Sequence, residues 1–400
     1  CQLQPGDVLQ SVQYDCGEVE EPAENDGAEV GAVLPGKYTS TMNHKFPYRW
    51  TLADAVFTKD KGKVFSCFSC GGGSTMGYKL AGFDVIGCNE IDPKMMEAYK
   101  VNHNPNFAFL EPIQTFKLRK DLPRELYELD ILDGSPPCSS FSMAGNREKD
   151  WGKEKKFREG QALQVLDNLF FDFIDLAKEL QPKIVVAENV KGLLQGGAKS
   201  YVRQIYRDFD LAGYCCQHFL LDASKMGVPQ RRERVFFIAL RKDLAAPFLK
   251  QVDLFCIQPE LKMEFKEKEI LFGEYRDETG IEDTETERGK LMEFRIKSDK
   301  CCSDINERVY GKFSGFNAMI RHDDEVCGTV TSGETDRRYF DGKILTENDL
   351  KLTGTFPLDY NFCNDVSKSV VKYFIGMSVP PVMVAQIATE IWNQWLSKIN

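Results

Sequence analysis

Histidine is scarce in this chain, with four residues among 400, and tryptophan is equally rare. Cysteine is plentiful, but the C-x-x-C pair of Cys67 and Cys70 has no second pair at the spacing of a zinc site. We therefore predict that the protein holds no metal. The thirteen cysteines are odd in number, and no secretory signal is recognisable, so a reducing, cytoplasmic compartment is expected.

Long uncharged apolar runs are also missing. No stretch approaches the 18 residues that suggest a membrane-spanning helix, so no membrane partner is expected. The net charge of −10, taken alone, argues against nucleic acid as a partner. Residues 225–242, however, contain six bases and a single acid, Glu233, and local fields govern docking. Nucleic acid therefore stays open as a partner.

The chain is longer than one hydrophobic core usually grows, which predicts more than one domain. Residues 1–62 are predicted to form an N-terminal extension, acidic and mobile in part, because 15–29 hold seven acids and no base. Residues 63–245 together with 336–400 are the predicted main domain. The irregular, charge-rich residues 246–335 are the predicted smaller domain.

The main domain alternates short apolar runs with helical periodicity. Five runs have the length and composition of buried strands: 64–68, 84–88, 129–132, 184–187 and 235–240. Apolar residues recur at helical spacing between Leu163 and Leu180, and Pro182 ends that helix. This alternation predicts an α/β fold, a doubly wound parallel sheet with helices on both faces.

The turn after the first strand, residues 68–73, is rich in glycine. Glycine lets the backbone approach a ligand closely. Glu90 follows Gly72 by 18 residues, at the end of the next strand, where an acid typically meets the ribose of a nucleotide-like ligand. The turn lacks both G-x-G-x-x-G and a following Lys-Ser/Thr, so dinucleotides and nucleoside triphosphates are disfavoured. A purely structural turn is the alternative.

Cys138 follows two prolines at the end of the strand 129–132. Because prolines restrict the backbone, the thiol should be held rigidly at the ligand-binding edge of the sheet. It is a candidate nucleophile, with a buried, inert cysteine as the alternative. Glu188, after the strand 184–187, is a candidate general acid or a helix cap. The arginines within 231–234 suit phosphate or carbonyl binding, or a solvated basic turn.

Taken in order, these segments resemble the DNA (cytosine-5) methyltransferases. The resemblance covers about 63–242 and 370–400 and is carried by five motifs. They are Gly134-Ser135-Pro136-Pro137-Cys138, Asp167-Asn168-Leu169-Phe170-Phe171, Glu188-Asn189-Val190, Gln230-x-Arg232-x-Arg234 and Gly376-Met377-Ser378-Val379-Pro380-Pro381. The resemblance implies a Rossmann-like methyltransferase sheet and a target-recognition domain at 246–335.

The same resemblance implies a reaction. S-adenosylmethionine would donate a methyl group to carbon 5 of a cytosine flipped out of double-stranded DNA. Cys138 would add to carbon 6, and Glu188 would hydrogen-bond ring nitrogen 3. Arg234 would bind the carbonyl at carbon 2, while Arg232 would orient Glu188 or the thiolate.

Other roles also follow from the resemblance. The expected cofactor-binding residues are Phe68, Gly71, Gly73, Glu90, Ile91, Ile113, Pro137, Leu169 and Ser378. The expected DNA contacts are Ser140, Arg147, Lys312, Arg321, Arg337 and Arg338, and residues 139–158 would form a mobile loop over the flipped base. The chain departs from the usual family pattern at Cys70, Ser139 and Met377.

The resemblance further implies a monomer on DNA, encoded by a prokaryote or phage, with a cognate restriction endonuclease as a candidate partner. In a eukaryote the location would be nuclear. Three alternatives remain. A transfer-RNA cytosine methyltransferase would share the core, although its Cys-Phe-Thr signature is not seen in 246–335. A catalytically silent homologue is disfavoured because Cys138 and Glu188 are both present. A thiol-redox protein using Cys67 and Cys70 would leave the other motifs unexplained.

Overall fold

The computed structural model describes residues 44–137, 168–195, 198–251, 257–313, 318–331, 336–363 and 368–399, and two short strands at 154–155 and 164–165. The strands are β1 (Lys63–Cys67), β2 (Asp84–Glu90), β3 (Phe107–Leu110), β4 (Ile131–Gly134), β5 (Glu154–Lys155), β6 (Gln164–Val165), β7 (Ile184–Val190), β8 (Tyr214–Asp222), β9 (Gln230–Arg231), β10 (Glu233–Arg241), β11 (Leu249–Gln251), β12 (Ile257–Pro259), β13 (Ile320–Arg321), β14 (Cys327–Gly328) and β15 (Arg337–Arg338). The α-helices are α1 (Gly73–Leu80), α2 (Pro93–His103), α3 (Ile113–Phe116), α4 (Leu169–Leu180), α5 (Lys199–Leu211), α6 (Glu287–Leu291), α7 (Cys302–Tyr310), α8 (Glu347–Thr353), α9 (Lys368–Met377), α10 (Pro381–Ile391) and α11 (Ser397–Ile399).

Seven strands form the central sheet, in the order β3-β2-β1-β4-β7-β10-β8. The strands from β3 to β7 run parallel to one another, as predicted. The prediction of a wholly parallel sheet is wrong at β10, which is antiparallel to β7 and to β8. Residues 223–232 join β8 to β10, and this connection is too short for a helical crossover. The chain therefore turns back on itself.

Both faces of the sheet are covered by helices, which confirms the predicted α/β doubly wound fold. On one face, α3, α4 and α5 pack around Phe170 and Phe173. On the other face, α1 and α10 pack around Tyr78 and Val384. Because both faces are buried, the central strands are almost continuously apolar rather than alternating. The strand order reverses between β1 and β4, where folds of this kind bind ligands.

Segments outside the predicted main domain also pack on its core. Trp50 is buried, and its Nε1 donates to the Thr355 carbonyl oxygen at 2.9 Å. Leu261 and Met263 join the same apolar core as Trp395. A separate small cluster surrounds α6 and α7 and consists of Leu291, Met292, Cys302, Ile305, Ala318 and Ile320. Packing is therefore continuous across residue 246, and the division into two domains stays a prediction.

The helical run Val370–Ile399 has the length and composition of a membrane-spanning helix. However, 78% of its most apolar window is buried inside the molecule. This burial is what a core helix of a folded domain shows, and α10 is packed against α1 on the sheet.

Candidate active site

The glycine-rich turn between β1 and α1 is held by the carboxylate of Glu90. The Cys70 backbone N–H donates to Glu90 Oε2 at 2.7 Å. The backbone N–H groups of Ile91 and Asp92 donate to Oε1 at 2.8 and 2.9 Å. Burial raises the pKa of Glu90, and the three backbone donors partly offset that rise. The turn and the end of β2 are thus fixed relative to each other.

Two glycines make the close packing of this turn possible. Gly72 has a φ of 80°, and a Cβ there would lie 2.2 Å from Nε2 of His103. A Cβ on Gly73 would lie 2.3 Å from the carbonyl oxygen of Val379. Gly73 therefore lets the start of α1 approach the segment that precedes α10. The glycines serve this packing as well as any approach to a ligand.

A cleft opens at the carboxyl ends of β1, β2 and β4. It encloses about 710 Å³, part of which is open to solvent. Five of the nine predicted cofactor residues line it: Phe68, Glu90, Ile91, Ile113 and Pro137. The other lining residues are Cys70, Asn89, Asp92, Met95, Glu111, Pro112, Ser135, Tyr373 and Met377. Apolar walls beside a buried carboxyl fit a ligand that joins a flat base to a hydroxyl-bearing sugar, as S-adenosylmethionine does.

Four predicted cofactor residues do not line this cleft. Gly71 and Gly73 face the C-terminal segment, Leu169 is fully buried in the core at the start of α4, and Ser378 is buried beside Gly73. Their contact with a cofactor stays a prediction. Tyr373, which precedes Met377 by four residues on α9, was not among the predicted residues. Helical periodicity would have placed both side chains on one face.

The predicted nucleophile Cys138 lies outside the described residues, which end at Pro137 on this side. The residues at the end of β4, which precede it in the sequence, are held in place. The Asn189 side-chain amide donates to the Pro136 carbonyl oxygen at 3.1 Å, which ties the end of β4 to β7. Pro137 lines the cleft.

Glu188 and Arg234 form an ion pair at the same edge of the sheet. Arg234 Nε lies 3.0 Å from Glu188 Oε1, and both side chains are largely buried. The pair forms because β10 is antiparallel to β7, so the start of β10 lies beside the end of β7. Arg234 therefore orients the Glu188 carboxylate, the task that the sequence analysis allowed for Arg232.

Arg232 has a different contact. Both of its terminal nitrogens donate to the Gly376 carbonyl oxygen at 3.0 Å, so the side chain anchors α9. Burial lowers the pKa of Arg232, and the neighbouring charge of Arg234 adds to that effect. Its guanidinium therefore connects the arginine motif to the helix that carries Tyr373 and Met377.

A buried carboxyl lies directly before the Gly-Ser-Pro-Pro run. Asp133 accepts hydrogen bonds from Ser66 Oγ at 2.8 Å and from Tyr78 Oη at 3.2 Å. Burial raises its pKa to about 7, and the charge of Glu188 contributes to the rise. Asp133 has no predicted role from the sequence, because only the sheet order places it at the centre of the fold.

Three of the six predicted DNA contacts are in the interior. Arg321 pairs with Asp336, Arg337 with Asp283 and Arg338 with Asp341, and all three arginines are buried. The structure thus contradicts their assignment to DNA, because their charged groups are already paired inside the fold. The sequence showed the bases but not the acids that fold onto them. Lys312 is exposed. Ser140 and Arg147 lie outside the described residues.

The chain is similar to known proteins over most of its length. A family model for C-5 cytosine-specific DNA methylases matches residues 62–393. The type II methyltransferase M.FnuDI of Fusobacterium nucleatum is 37% identical over 182 residues, which are 46% of this chain and 48% of that protein. M.DdeI of Desulfomicrobium norvegicum is 29% identical over 331 residues, covering 78% of this chain and 73% of that protein. The chain thus spans about half the length of M.FnuDI.

Among solved structures, a variant of DNMT2 from Spodoptera frugiperda superposes with a TM-score of 0.55 at 18% identity, covering 82% of this chain and 99% of that one. That likeness supports the fold. The family model matches well over half of the chain. The chain belongs to the family of C-5 cytosine-specific DNA methylases.

Proposed function

We propose that this protein is a DNA (cytosine-5) methyltransferase that methylates a flipped cytosine in double-stranded DNA at the expense of S-adenosylmethionine. The observation that carries the proposal is the Glu188–Arg234 ion pair at 3.0 Å. It lies at the sheet edge that also holds the Glu90 cleft and the prolines before Cys138. A carboxyl and a guanidinium lie beside a cleft, and the Cys138 thiol follows Pro137 in the sequence, so the chain has the groups that this reaction needs.

The proposed chemistry assigns one task to each side chain. The aromatic ring of cytosine makes carbon 5 a poor nucleophile, and addition of the Cys138 thiolate to carbon 6 removes that aromaticity. Glu188, held by Arg234, shares a proton with ring nitrogen 3 through a hydrogen bond and so stabilises the charge that reaches the ring. Bound S-adenosylmethionine supplies the electrophilic methyl group. Transfer of the carbon 5 proton to water then forms the carbon 5–carbon 6 double bond and breaks the bond from carbon 6 to sulfur, which releases Cys138 as a thiolate.

The cofactor site is proposed on the residues that line the cleft. Glu90 would receive the ribose hydroxyls, since a carboxylate oxygen keeps lone pairs free after accepting a backbone N–H. Ile91 and Ile113 would pack on the adenine. Tyr373 and Met377, from α9, would complete the cleft on its C-terminal side.

The biological setting is inferred from the relatives. M.FnuDI and M.DdeI are bacterial proteins named as type II methyltransferases. We infer a bacterial or phage protein that acts in the cytoplasm on double-stranded DNA. A cognate restriction endonuclease acting at the same site and a monomeric state on DNA are further parts of the proposal.

The test supplies labelled S-adenosylmethionine with unmethylated genomic DNA or with transfer RNA. Wild type should label DNA at carbon 5 of cytosine, and Cys138→Ser should label nothing. Label in RNA alone would replace the DNA assignment with a transfer-RNA methyltransferase, and label in neither would indicate a silent homologue. A duplex carrying 5-fluorocytosine should become covalently attached at Cys138, and attachment through another residue would reject the mechanism.

A further inference from the structure

A buried ionic cluster lies between the small region, residues 246–335, and helix α9. Asp336 accepts from Arg321 Nε at 2.9 Å and from Lys372 Nζ at 3.0 Å. The exposed fractions of the Lys372, Asp336 and Arg321 side chains are 2%, 4% and 6%. Arg321 belongs to β13, Lys372 belongs to α9, and Asp336 directly precedes β15. One carboxylate therefore joins two separate parts of the chain.

The cluster holds more positive than negative charge. Among the described residues, two cations share this one carboxylate. Burial of charge is costly unless it is paired, and a single pair would satisfy Asp336. Either cation alone would neutralise it. The second cation is therefore not needed to satisfy Asp336, and what it adds is a connection between β13 and α9.

Helix α9 contacts both the cleft and the arginine motif. Tyr373 and Met377 line the cleft, and the Gly376 carbonyl oxygen accepts both hydrogen bonds from Arg232. Lys372 is the residue next to Tyr373. Any movement of α9 relative to β13 would change the C-terminal wall of the cleft. It would also change the anchor of the arginine motif that supplies Arg234.

We propose that Lys372 is a positioning residue that fixes α9 against the small region through Asp336 and Arg321, and so couples cofactor binding to DNA binding. This inference rests on the proposed methyltransferase function. The proposal takes the small region as a part of the chain that contacts DNA, so that DNA bound there acts on the cleft through these three side chains. Because linkage is reciprocal, the cofactor must tighten DNA binding by the same factor by which DNA tightens cofactor binding.

The test compares two buried lysines. Lys372→Met leaves Arg321 and Asp336 as a matched pair, so it removes the contact to α9 without leaving a buried charge alone. Lys351→Met is the control, because Lys351 is also buried and ion-paired, to Glu347 at 2.7 Å on α8, and does not line the cleft. S-adenosylhomocysteine is titrated calorimetrically into the full chain, with and without sheared genomic DNA.

In wild type, DNA should tighten the binding of S-adenosylhomocysteine. Lys372→Met should abolish that gain and weaken binding in the presence of DNA by about tenfold, with a melting temperature close to that of Lys351→Met. Lys351→Met should keep wild-type affinity and its dependence on DNA. Equal behaviour of the two variants would overturn the assignment of Lys372.

Arg321→Met provides a second, independent variant, which decides the question even if Lys372→Met fails to fold. It leaves Asp336 and Lys372 paired, so affinity without DNA should stay at the wild-type value while the DNA-dependent gain is lost. Wild type that binds S-adenosylhomocysteine equally with and without DNA would overturn the coupling alone. Wild type that binds none would instead reject the proposed function.

Discussion

Arg234 and Glu188 are neighbours because the strands that carry them run in opposite directions. Arg234 starts β10, Glu188 lies near the end of β7, and the antiparallel register brings the two side chains together. In a wholly parallel sheet, the start of β10 would lie at the opposite edge. At the scale of single residues, the ion pair therefore depends on one reversal of chain direction.

Removal of the Arg234 guanidinium should slow the reaction more than it weakens cofactor binding. We expect Arg234→Met to lower kcat about 10²-fold, because Glu188 loses the group that orients it. Affinity for S-adenosylhomocysteine should stay within about twofold, since Arg234 does not line the cleft. Single-turnover methylation and calorimetry measure the two effects.

The neighbouring Arg231 is the matched control for this variant. Its side chain is exposed, and its contact to Glu269 is 3.7 Å long. Exposed pairs of this kind contribute little, so Arg231→Met should leave kcat almost unchanged. An equal loss of kcat in both variants would show that Arg234 has no specific role in the reaction.

Asp133 should make the stability of the protein depend on pH. Burial raises its pKa to about 7 from an ordinary value of 3.8, so the folded state binds this proton more tightly than the unfolded chain. Its favourable contribution is fully present below about pH 4 and is lost as the pH rises towards 7. Asp133→Asn should remove this fall in stability with rising pH, because the amide does not titrate.

Urea denaturation at pH 5 and pH 8 tests this expectation. Between these pH values, the free energy of unfolding of wild type should fall relative to Asp133→Asn by on the order of 2 kcal/mol. If both proteins change equally with pH, the Asp133 carboxyl is charged in the folded state. Its burial would then be offset by the hydroxyl groups of Ser66 and Tyr78.

At the scale of elements, the turn between β1 and α1 stores backbone strain beside the cleft. Phe68 and Cys70 have φ values of 53° and 49°, although neither is glycine. Non-glycine residues in this region are uncommon and concentrate at functional sites. The hydrogen bond from the Cys70 N–H to Glu90 helps to hold the turn in this conformation.

Gly72→Ala should disrupt this turn more than positive φ alone explains. At Gly72 the new Cβ would meet His103, whereas at Gly311, with a φ of 65°, it would meet nothing within 4 Å. Gly311→Ala should therefore lower the free energy of unfolding by about 1 kcal/mol. Gly72→Ala should lower the free energy of unfolding by about 1 to 3 kcal/mol more than Gly311→Ala does.

Calorimetric affinity for S-adenosylhomocysteine separates the two glycine variants further. Gly72→Ala should weaken binding, because the turn positions Phe68 and Cys70 in the cleft. Gly311→Ala should not change binding. If the two variants have equal stability and equal affinity, the clash with His103 is relieved without effect on the turn.

At the scale of the whole molecule, the C-terminal helices join distant parts of the chain into one core. Trp395 is fully buried with Leu261 and Met263, and its Nε1 donates to the Glu260 carbonyl oxygen at 2.8 Å. The same core includes strands of the central sheet. Residues 260–263 and the C-terminal helices should therefore unfold together with the sheet.

Trp395→Ala should lower the free energy of unfolding by about 3 to 5 kcal/mol, because it leaves a large cavity. Trp395→Phe keeps most of the apolar contact and should cost less. Urea denaturation followed by circular dichroism gives both values. A cost below 1 kcal/mol for Trp395→Ala would mean that the C-terminal segment does not stabilise the sheet.

The α/β fold class, the family and the main parts of the cleft follow from the amino-acid sequence alone. Apolar runs bounded by glycine and proline define buried strands, and motifs such as Glu188-Asn189-Val190 are local in the chain. Five predicted cofactor residues line the cleft because each one ends a strand, lies just past one or begins the next element. Such placement follows from local order along the chain.

The direction of β10, the contacts of Arg232 with α9 and of Arg234 with Glu188, and the burial of Arg321, Arg337 and Arg338 could be read only from the folded chain. Each of these depends on which groups from distant parts of the chain meet. A charge in the sequence has no fixed surroundings until acids such as Asp336 fold onto it. Long-range pairing therefore decides whether an arginine contacts a ligand, orients a carboxylate or is buried in an ion pair.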